Sequence, residues 1–159
     1  EDTLLGVTLP AFHHSVRKSQ KVSPKFYFFD YGVKRALDQS LISKLTPRTS
    51  AYGEAFEHFL IMELMKISSY KRLDWKFSYI RTKDDVEIDL VIDRPGKRRV
   101  LIEIKSKDSI IESDAKSLET LGKESDPKAL RYLFSLDHRN QKIGGTQALY
   151  WKEGIEELF

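Results

Sequence analysis

The sequence predicts an α/β domain in which a mixed β-sheet is flanked by helices. Apolar residues recur at helical spacing over positions 52–67, a pattern typical of a helix that packs on a sheet. Extended segments separated by turn signals follow this helix. The length of 159 residues suits one domain with one core. The expected order is therefore helix, three strands, helix, strand and one further strand.

The chain is expected to divide into a small N-terminal segment of helix and strand, residues 1–48, and a main domain, residues 49–159. Residues 1–24 are interpreted as a helical or loop approach. The aromatic run at 25–30 is typical of a buried strand, so its aromatic side chains are expected in the core. A short helix is expected at 33–41, before a proline interrupts the chain.

The main domain begins with the long amphipathic helix. The next three strands should form an antiparallel meander, because Asp84-Asp85 and Pro95-Gly96 are turn signals between them. Gly144-Gly145 is also interpreted as a turn. The expected bounds are 75–81, 86–92 and 100–105 for the three strands, 112–123 for a second helix, 130–136 and 148–151 for the later strands, and 153–159 for a terminal helix.

Composition restricts the chemistry. The absence of cysteine excludes disulfides, thiolate nucleophiles and zinc-finger ligands, so oxygen or imidazole would hold any metal, and Mg²⁺ or Mn²⁺ is the expected cofactor. The net charge of +3 neither demands nor excludes a nucleic-acid partner. No stretch approaches the roughly 20 apolar residues of a membrane helix, so a cytoplasmic location without a membrane partner is expected. No phosphate-binding glycine loop is present, which excludes nucleotide hydrolysis by these residues.

Glu57 is the first candidate site residue. At 100° per residue it lies on the same side of the predicted helix as the apolar stripe, whereas Glu54 and His58 are expected to point away. Burial of a lone carboxylate is costly unless a cation or hydrogen bonds compensate it, so Glu57 requires a partner. Glu63 falls within the same broad stripe. A salt bridge to a neighbouring lysine or arginine is the alternative interpretation for either glutamate.

Alternation along the second and third strands supplies further candidates. Asp89 is expected to leave the more apolar face, opposite Ile88 and Leu90. Glu103 and Lys105 are expected to project together from one face of the next strand. If the intervening turn pairs these strands, Asp89 and Glu103 converge on one cation, with Lys105 beside them and the helical glutamate above. The sequence therefore predicts the outline of a metal site.

This set of residues suits metal-assisted hydrolysis of a phosphodiester. Mg²⁺ binds through one or two carboxylates and retains waters that can act as nucleophiles. Lys105 beside the attacking water would orient it, stabilise negative charge, or take a proton if desolvation lowers its pKa. The alternative is a simple ion pair between Glu103 and Lys105 on a strand face.

The order Glu57 on a helix, Asp89 in a strand and Glu103-x-Lys105 in the next strand resembles the PD-(D/E)XK nuclease superfamily. Ile88 stands where the name of the superfamily has proline. This resemblance implies a restriction-endonuclease-like fold. A second resemblance, to the C-terminal domain of a prokaryotic AAA-type ATPase family, covers nearly the whole chain. Its motifs are Lys25-Phe-Tyr-Phe-Phe-Asp30-x-Gly32, Gly53-x-x-Phe56-Glu57, Glu63-Leu64, Tyr79-x-Arg81, Glu87-Ile-Asp89 and Ile102-Glu103-Ile-Lys105.

The second resemblance implies an ATPase module as a partner ahead of these residues, which agrees with the missing initial methionine. Two functions remain open. One is a Mg²⁺- or Mn²⁺-dependent DNA nuclease attached to the ATPase, with Glu57 in the outer shell or on a second ion. The other is a non-catalytic module that binds DNA or a protein and controls the ATPase. The assigned residues are Glu57, Asp89, Glu103 and Lys105 as catalytic residues, Asp89, Glu103 and the Ile104 carbonyl as metal ligands, and Arg81 and Lys107 as DNA contacts.

Overall fold

The computed structural model describes residues 5–12 and 23–159. Within them the chain forms a six-stranded mixed sheet with helices on both faces and a separate two-stranded sheet, which confirms the predicted α/β class. The strands are β1 (Gly6–Leu9), β2 (Lys25–Phe28), β3 (Lys76–Arg81), β4 (Glu87–Asp93), β5 (Val100–Lys105), β6 (Leu130–Ser135), β7 (Gln141–Ile143) and β8 (Thr146–Tyr150). The helices are α1 (Tyr31–Leu37), α2 (Ser50–Tyr70), α3 (Lys123–Ser125) and α4 (Trp151–Leu158), with a 3₁₀ turn at Glu112–Ala115 and a π turn at Leu118–Gly122.

The six-stranded sheet has the order β3-β4-β5-β6-β8-β7. Its first three strands form the antiparallel meander that the turn signals predicted. β6 lies parallel to β5 and β8 lies parallel to β6, whereas β7 is antiparallel to β8. A parallel neighbour requires a crossover connection, and the helical turns between β5 and β6 supply it. The predicted turn at Gly144-Gly145 joins β7 to β8, and Gly144 has the positive φ of 59° that such a tight turn requires.

α2 packs on one face of the sheet. Its first turn is capped by Thr49, whose side chain accepts a hydrogen bond from Tyr52 N at 3.3 Å. Leu60 and Leu64 are fully buried in a cluster that includes Ile102 of β5. Burial of a leucine side chain contributes about 2 kcal/mol, so these contacts hold the helix in place over β5.

His58 corrects one expectation about this helix. The helical spacing predicted that it points away from the core, yet it is buried and its Nε2 lies 2.7 Å from the carbonyl oxygen of Phe28. The rings of Tyr27 and Tyr31 also pack edge-on against it. The N-terminal segment therefore covers a side of α2 that the helical spacing predicted to be exposed to solvent.

The N-terminal segment differs from its prediction in two respects. Gly6–Leu9 is a strand, not a helix or loop, and it pairs antiparallel with β2, while residues 1–4 and 13–22 lie outside the described part. The strand predicted in the aromatic run is confirmed, but its burial is only partial. Tyr27 is 6% exposed, whereas Phe26 and Phe29 are 48% and 44% exposed. Phe26 lies on the face of β2 opposite Tyr27 and is therefore exposed, whereas Phe29 follows the end of the strand.

The helix predicted at 112–123 is irregular, with one 3₁₀ turn, one π turn and the single turn of α3. Leu118 is fully buried against the second face of the sheet, in a cluster with Leu101 and Leu133. A β-carbon on Gly122 would lie only 3.2 Å from Leu101 Cδ1, which explains why this close approach uses glycine. No helix in residues 5–12 and 23–159 is both long and apolar enough to cross a membrane.

Candidate metal centre

The candidate site lies where β4 and β5 stop pairing. Their register runs from Ile92↔Val100 to Leu90↔Ile102 and ends there. Beyond it, Asp89 Oδ2 accepts a hydrogen bond from Ile104 N at 2.7 Å. The aspartate side chain thus takes the place of a backbone carbonyl and is inserted between the two strands.

A bulge in β4 places Asp89 there. Ile80 of β3 pairs with Ile88, but Ser78 pairs with Val91, so two residues of β4 face one residue of β3. The prediction that Ile88 and Leu90 share a face is therefore wrong. Leu90 packs in the cluster under α2, whereas Ile88 packs in the cluster on the other face. Asp89 lies with Glu87 and opposite Ile88, as predicted, but the bulge puts it on the same side as Leu90, and it is 9% exposed.

Three carboxylates meet at this point. Oxygens of Glu57 from α2 and of Glu87 and Asp89 from β4 all lie within 4.8 Å of one another. Glu57 was expected here, and its partner is Tyr27, whose hydroxyl donates to Glu57 Oε1 at 2.8 Å. Glu87 was not assigned to the site, although its position two residues before Asp89 on one strand was a usable signal.

A lysine outside the predicted site neutralises part of this cluster. Lys25 Nζ lies 3.1 Å from Glu57 Oε1 and also donates to Glu87 Oε1. Lys25 belongs to β2, in the N-terminal segment. The partner that Glu57 required is therefore supplied by a lysine and a tyrosine of this segment.

Glu103 and Lys105 form the second half of the site. Lys105 Nζ donates to Glu103 Oε1 at 2.6 Å, so the ion pair considered as an alternative is present. Glu103 is 4% exposed, and its Oε2 is the one buried side-chain oxygen or nitrogen without a hydrogen-bond partner in the part of the chain that the structure describes. A buried carboxylate oxygen without a donor is costly, and a bound cation would compensate it.

The pKa values in the site are shifted by burial and by like charges. Burial raises the pKa of Asp89 well above its usual value, and the charges of Glu103 and Glu57 raise it further. Burial also raises the pKa of Glu103, although Lys105 opposes the shift. The site holds the four carboxyl groups of Glu57, Glu87, Asp89 and Glu103 and the two ammonium groups of Lys25 and Lys105.

Lys105 is not suited to the role of proton acceptor. Burial acts to lower its pKa, but the ion pair with Glu103 outweighs burial, and the pKa of Lys105 is raised above its ordinary value. The predicted option in which desolvation makes Lys105 a base is therefore not supported. Its charge can still stabilise an anion.

The donors fit a hard divalent cation. They are carboxylate oxygens on two adjacent strands and a helix, which is the ligand chemistry of Mg²⁺ and Mn²⁺. The unpartnered Glu103 Oε2 and the mutual repulsion between Asp89 and Glu103 are the features that such an ion would relieve. The amide of Ile104 is already bound to Asp89, which fixes the backbone beside the predicted carbonyl ligand.

The remaining predicted residues are held by ion pairs of the chain itself. Arg81 Nη2 lies 2.9 Å from Asp85 Oδ1, and Lys107 pairs with Asp114. Glu63 lies 3.3 Å from Lys66, which agrees with the salt bridge considered for it. The structure therefore brings Glu57, Glu87 and Asp89 together beside Lys25. Glu103 and Lys105 form a separate ion pair, and the charge of Glu103 acts on Asp89. Arg81, Lys107 and Glu63 lie in other pairs.

A basic cleft of about 820 Å³ lies at the other end of the β4–β5 hairpin. Arg99 forms ion pairs with both Asp93 and Asp126, at 2.6 and 2.9 Å, so its charge is already used within the cleft. Asp74 is a third acid of the lining, and the pKa of Arg94 is lowered by burial and by the charge of Arg98. The basic residues of its lining are Lys76, Arg94, Lys97, Arg98, Arg99 and Lys128.

Comparison with known proteins gives one match. Residues 52–153 match the model of a protein family described as "Domain of unknown function (DUF4143)". No curated protein and no solved structure matches the chain. The matched segment contains all of the predicted catalytic residues but does not include Lys25 and β2.

Proposed function

Given that the chain belongs to the family described as domain of unknown function DUF4143, we propose that it is a nuclease-like domain of an AAA-type ATPase that hydrolyses DNA phosphodiesters with Mg²⁺ or Mn²⁺. One observation carries this proposal: Glu103 Oε2 is buried without a hydrogen-bond partner, so a cation bound there would compensate it. The restriction-endonuclease-like interpretation is supported by the helix, antiparallel meander, crossover and parallel strand that surround the site.

Each residue of the site has a separate task in this proposal. Asp89 and Glu103 would hold the ion, with the Ile104 carbonyl as a third ligand. When bound, the ion would lower the pKa of a water molecule and offset charge on the phosphate. Lys105 keeps its proton and would stabilise the negative charge that develops on the scissile phosphate. Glu57, held by Tyr27, would complete the outer shell.

A second function is supported by different observations. Ion pairs with Lys25 and Lys105 compensate part of the carboxylate charge in the site, as expected if these acids remain from a nuclease site that no longer catalyses a reaction. The basic cleft offers cations for a phosphate backbone far from the carboxylates. In this alternative the domain binds DNA, or an acidic protein, and controls the ATPase without hydrolysis.

Cleavage of linear, nicked and branched DNA with Mg²⁺ or Mn²⁺ tests the proposal, with the domain alone and joined to its ATPase module. Asp89→Asn and Lys105→Met should abolish cleavage. Glu63→Gln is the matched control, because it removes a glutamate that pairs with Lys66 on α2 outside the site. Loss of cleavage in the first two variants alone would support the enzyme. No cleavage by any sample, with DNA binding unchanged, would favour the regulatory module.

A further inference from the structure

Lys25 lies in a position that a cation would otherwise take. Its ammonium group is 3.1 Å from Glu57 Oε1 and contacts Glu87 Oε1, and these two carboxylates lie within 4.8 Å of each other and of Asp89. Three carboxylates at this separation repel one another unless positive charge lies between them. The single charge of Lys25 meets this need at the side of the cluster formed by Glu57 and Glu87.

The backbone around Lys25 holds the ammonium group in place. Residues 10–12, which follow β1, run along the free edge of β3, where Phe12 N donates to Tyr79 O at 2.7 Å and Tyr79 N donates to Pro10 O at 3.1 Å. The hydroxyl of the same tyrosine donates to Ser23 O at 2.6 Å, two residues before Lys25. The Lys25 ammonium also lies 5.2 Å from the centre of the Tyr79 ring. Segments that follow β1 and precede β2 therefore hold Tyr79 beside Lys25.

We propose that Lys25 is a built-in cation that occupies the position between Glu57 and Glu87 and keeps a divalent ion out of it. The inference rests on the proposed metal site. It assigns the carboxylates of that site to two pairs, one for the divalent ion and one for the lysine. The part formed by Asp89 and Glu103 takes the divalent ion, and the part formed by Glu57 and Glu87 takes the lysine. A divalent ion in the second part would lie beside the ammonium group and be repelled by it.

A manganese titration followed by electron paramagnetic resonance tests this role, because the free ion gives the signal and bound ions can be counted. Lys25→Met should bind one more Mn²⁺ per chain than the wild type. Lys34→Met is the matched control, since Lys34 also pairs with a glutamate of α2, Glu54, but outside the cluster. The control should bind as many ions as the wild type.

A second substitution locates the additional ion. Glu87→Gln in the Lys25→Met background should remove it again, because one of its carboxylates is lost. If Lys25→Met does not fold without metal, added Mn²⁺ should restore its circular dichroism spectrum, since the ion replaces the missing charge. Failure of Mn²⁺ to restore the fold would overturn the proposal.

The remaining outcomes separate this inference from the proposed function. Equal binding of one ion by the wild type and by Lys25→Met would overturn the role of Lys25 and leave the Asp89 and Glu103 site standing. Binding of no ion by either protein would overturn both. DNA cleavage does not enter this test, so an inactive domain that gains an ion on loss of Lys25 still supports the inference.

Discussion

Asp89 accepts a hydrogen bond from the backbone amide of Ile104 at the position where β4 and β5 stop pairing. The side chain therefore replaces part of the sheet ladder, and its carboxylate is fixed relative to the backbone on both sides of the site. This relationship makes Asp89 both a structural and a candidate metal-binding residue. Substitutions that separate its hydrogen bond from its charge distinguish the two roles.

Asp89→Asn should retain the fold, because the amide oxygen can still accept from Ile104 N while the repulsion with Glu103 is removed. Asp89→Ala should lose about 1–3 kcal/mol of unfolding free energy, because it leaves a buried amide without an acceptor. Urea unfolding of both variants measures the difference. Equal stability of the two would show that the hydrogen bond has no structural role.

The stability that Asp89 and Glu103 contribute to the metal-free domain should decrease as pH rises. The pKa values of Asp89 and Glu103 are raised in the folded state, so the folded protein binds protons more tightly than the unfolded chain. The stabilisation is complete below the unfolded pKa values of about 4 and is lost as pH rises through the folded values. Thermal unfolding between pH 4 and 8 measures the slope, and Asp89→Asn should reduce it. If the substitution leaves the slope unchanged, Asp89 is not a source of the pH dependence.

Loss of Lys105 should destabilise the domain even without metal. Lys105→Met leaves the buried Glu103 without its ion pair, and the expected cost is about 2 kcal/mol, since Lys105 itself is partly exposed. Lys105→Met combined with Glu103→Gln should recover most of this loss. Chemical denaturation of the single and double variants gives the coupling energy between them. Additive effects would mean that the pair does not stabilise the fold.

Gly154 in α4 provides a test of packing away from the site. A β-carbon there would overlap the ring of Phe134, which is fully buried in β6. Gly154→Ala should therefore destabilise the domain by about 1–3 kcal/mol. Helix propensity alone favours alanine by about 1 kcal/mol, so it predicts the opposite sign. Urea denaturation decides between them, and a stabilised variant would show that α4 can shift away from the sheet.

The basic cleft should govern DNA affinity if the domain binds DNA through this surface. Arg98→Ala combined with Lys128→Ala should weaken binding at low salt and reduce the salt slope of the binding constant by about 2, because each phosphate that is no longer neutralised lowers the slope by about one. Fluorescence anisotropy over a salt series measures both quantities. An unchanged slope, with normal Mn²⁺ binding, would place the DNA elsewhere.

The sequence predicted most elements of the main domain because their signals are local. Helical spacing located α2, turn residues located the meander, and the pair Glu103 and Lys105 followed from its place on a strand. Strand alternation held from Glu87 to Asp89 but failed at Leu90, because a bulge in β4 adds one residue to the count. β7 was missed because three residues of mixed polarity carry no pattern.

Lys25 was not predicted in the site for a physical reason. It lies 32 residues from Glu57 and 62 residues from Glu87 in the chain, and no local pattern links them. Its neighbours form an aromatic run that indicates only a strand. The contact depends on the docking of the N-terminal hairpin beside β3, which is a property of the tertiary fold.

The segment at residues 10–12 has a further consequence for the stability of shortened chains. It hydrogen-bonds with the outer side of β3 at Tyr79, so this strand does not present a fully open edge to other molecules. A chain cut back to the family match at residue 52 would expose that edge together with the apolar surface under Leu9 and Tyr27. Open strand edges pair readily with one another, and the shortened chain should self-associate into β-rich aggregates. We therefore expect residues 52–153 alone to fold less stably than the longer chain.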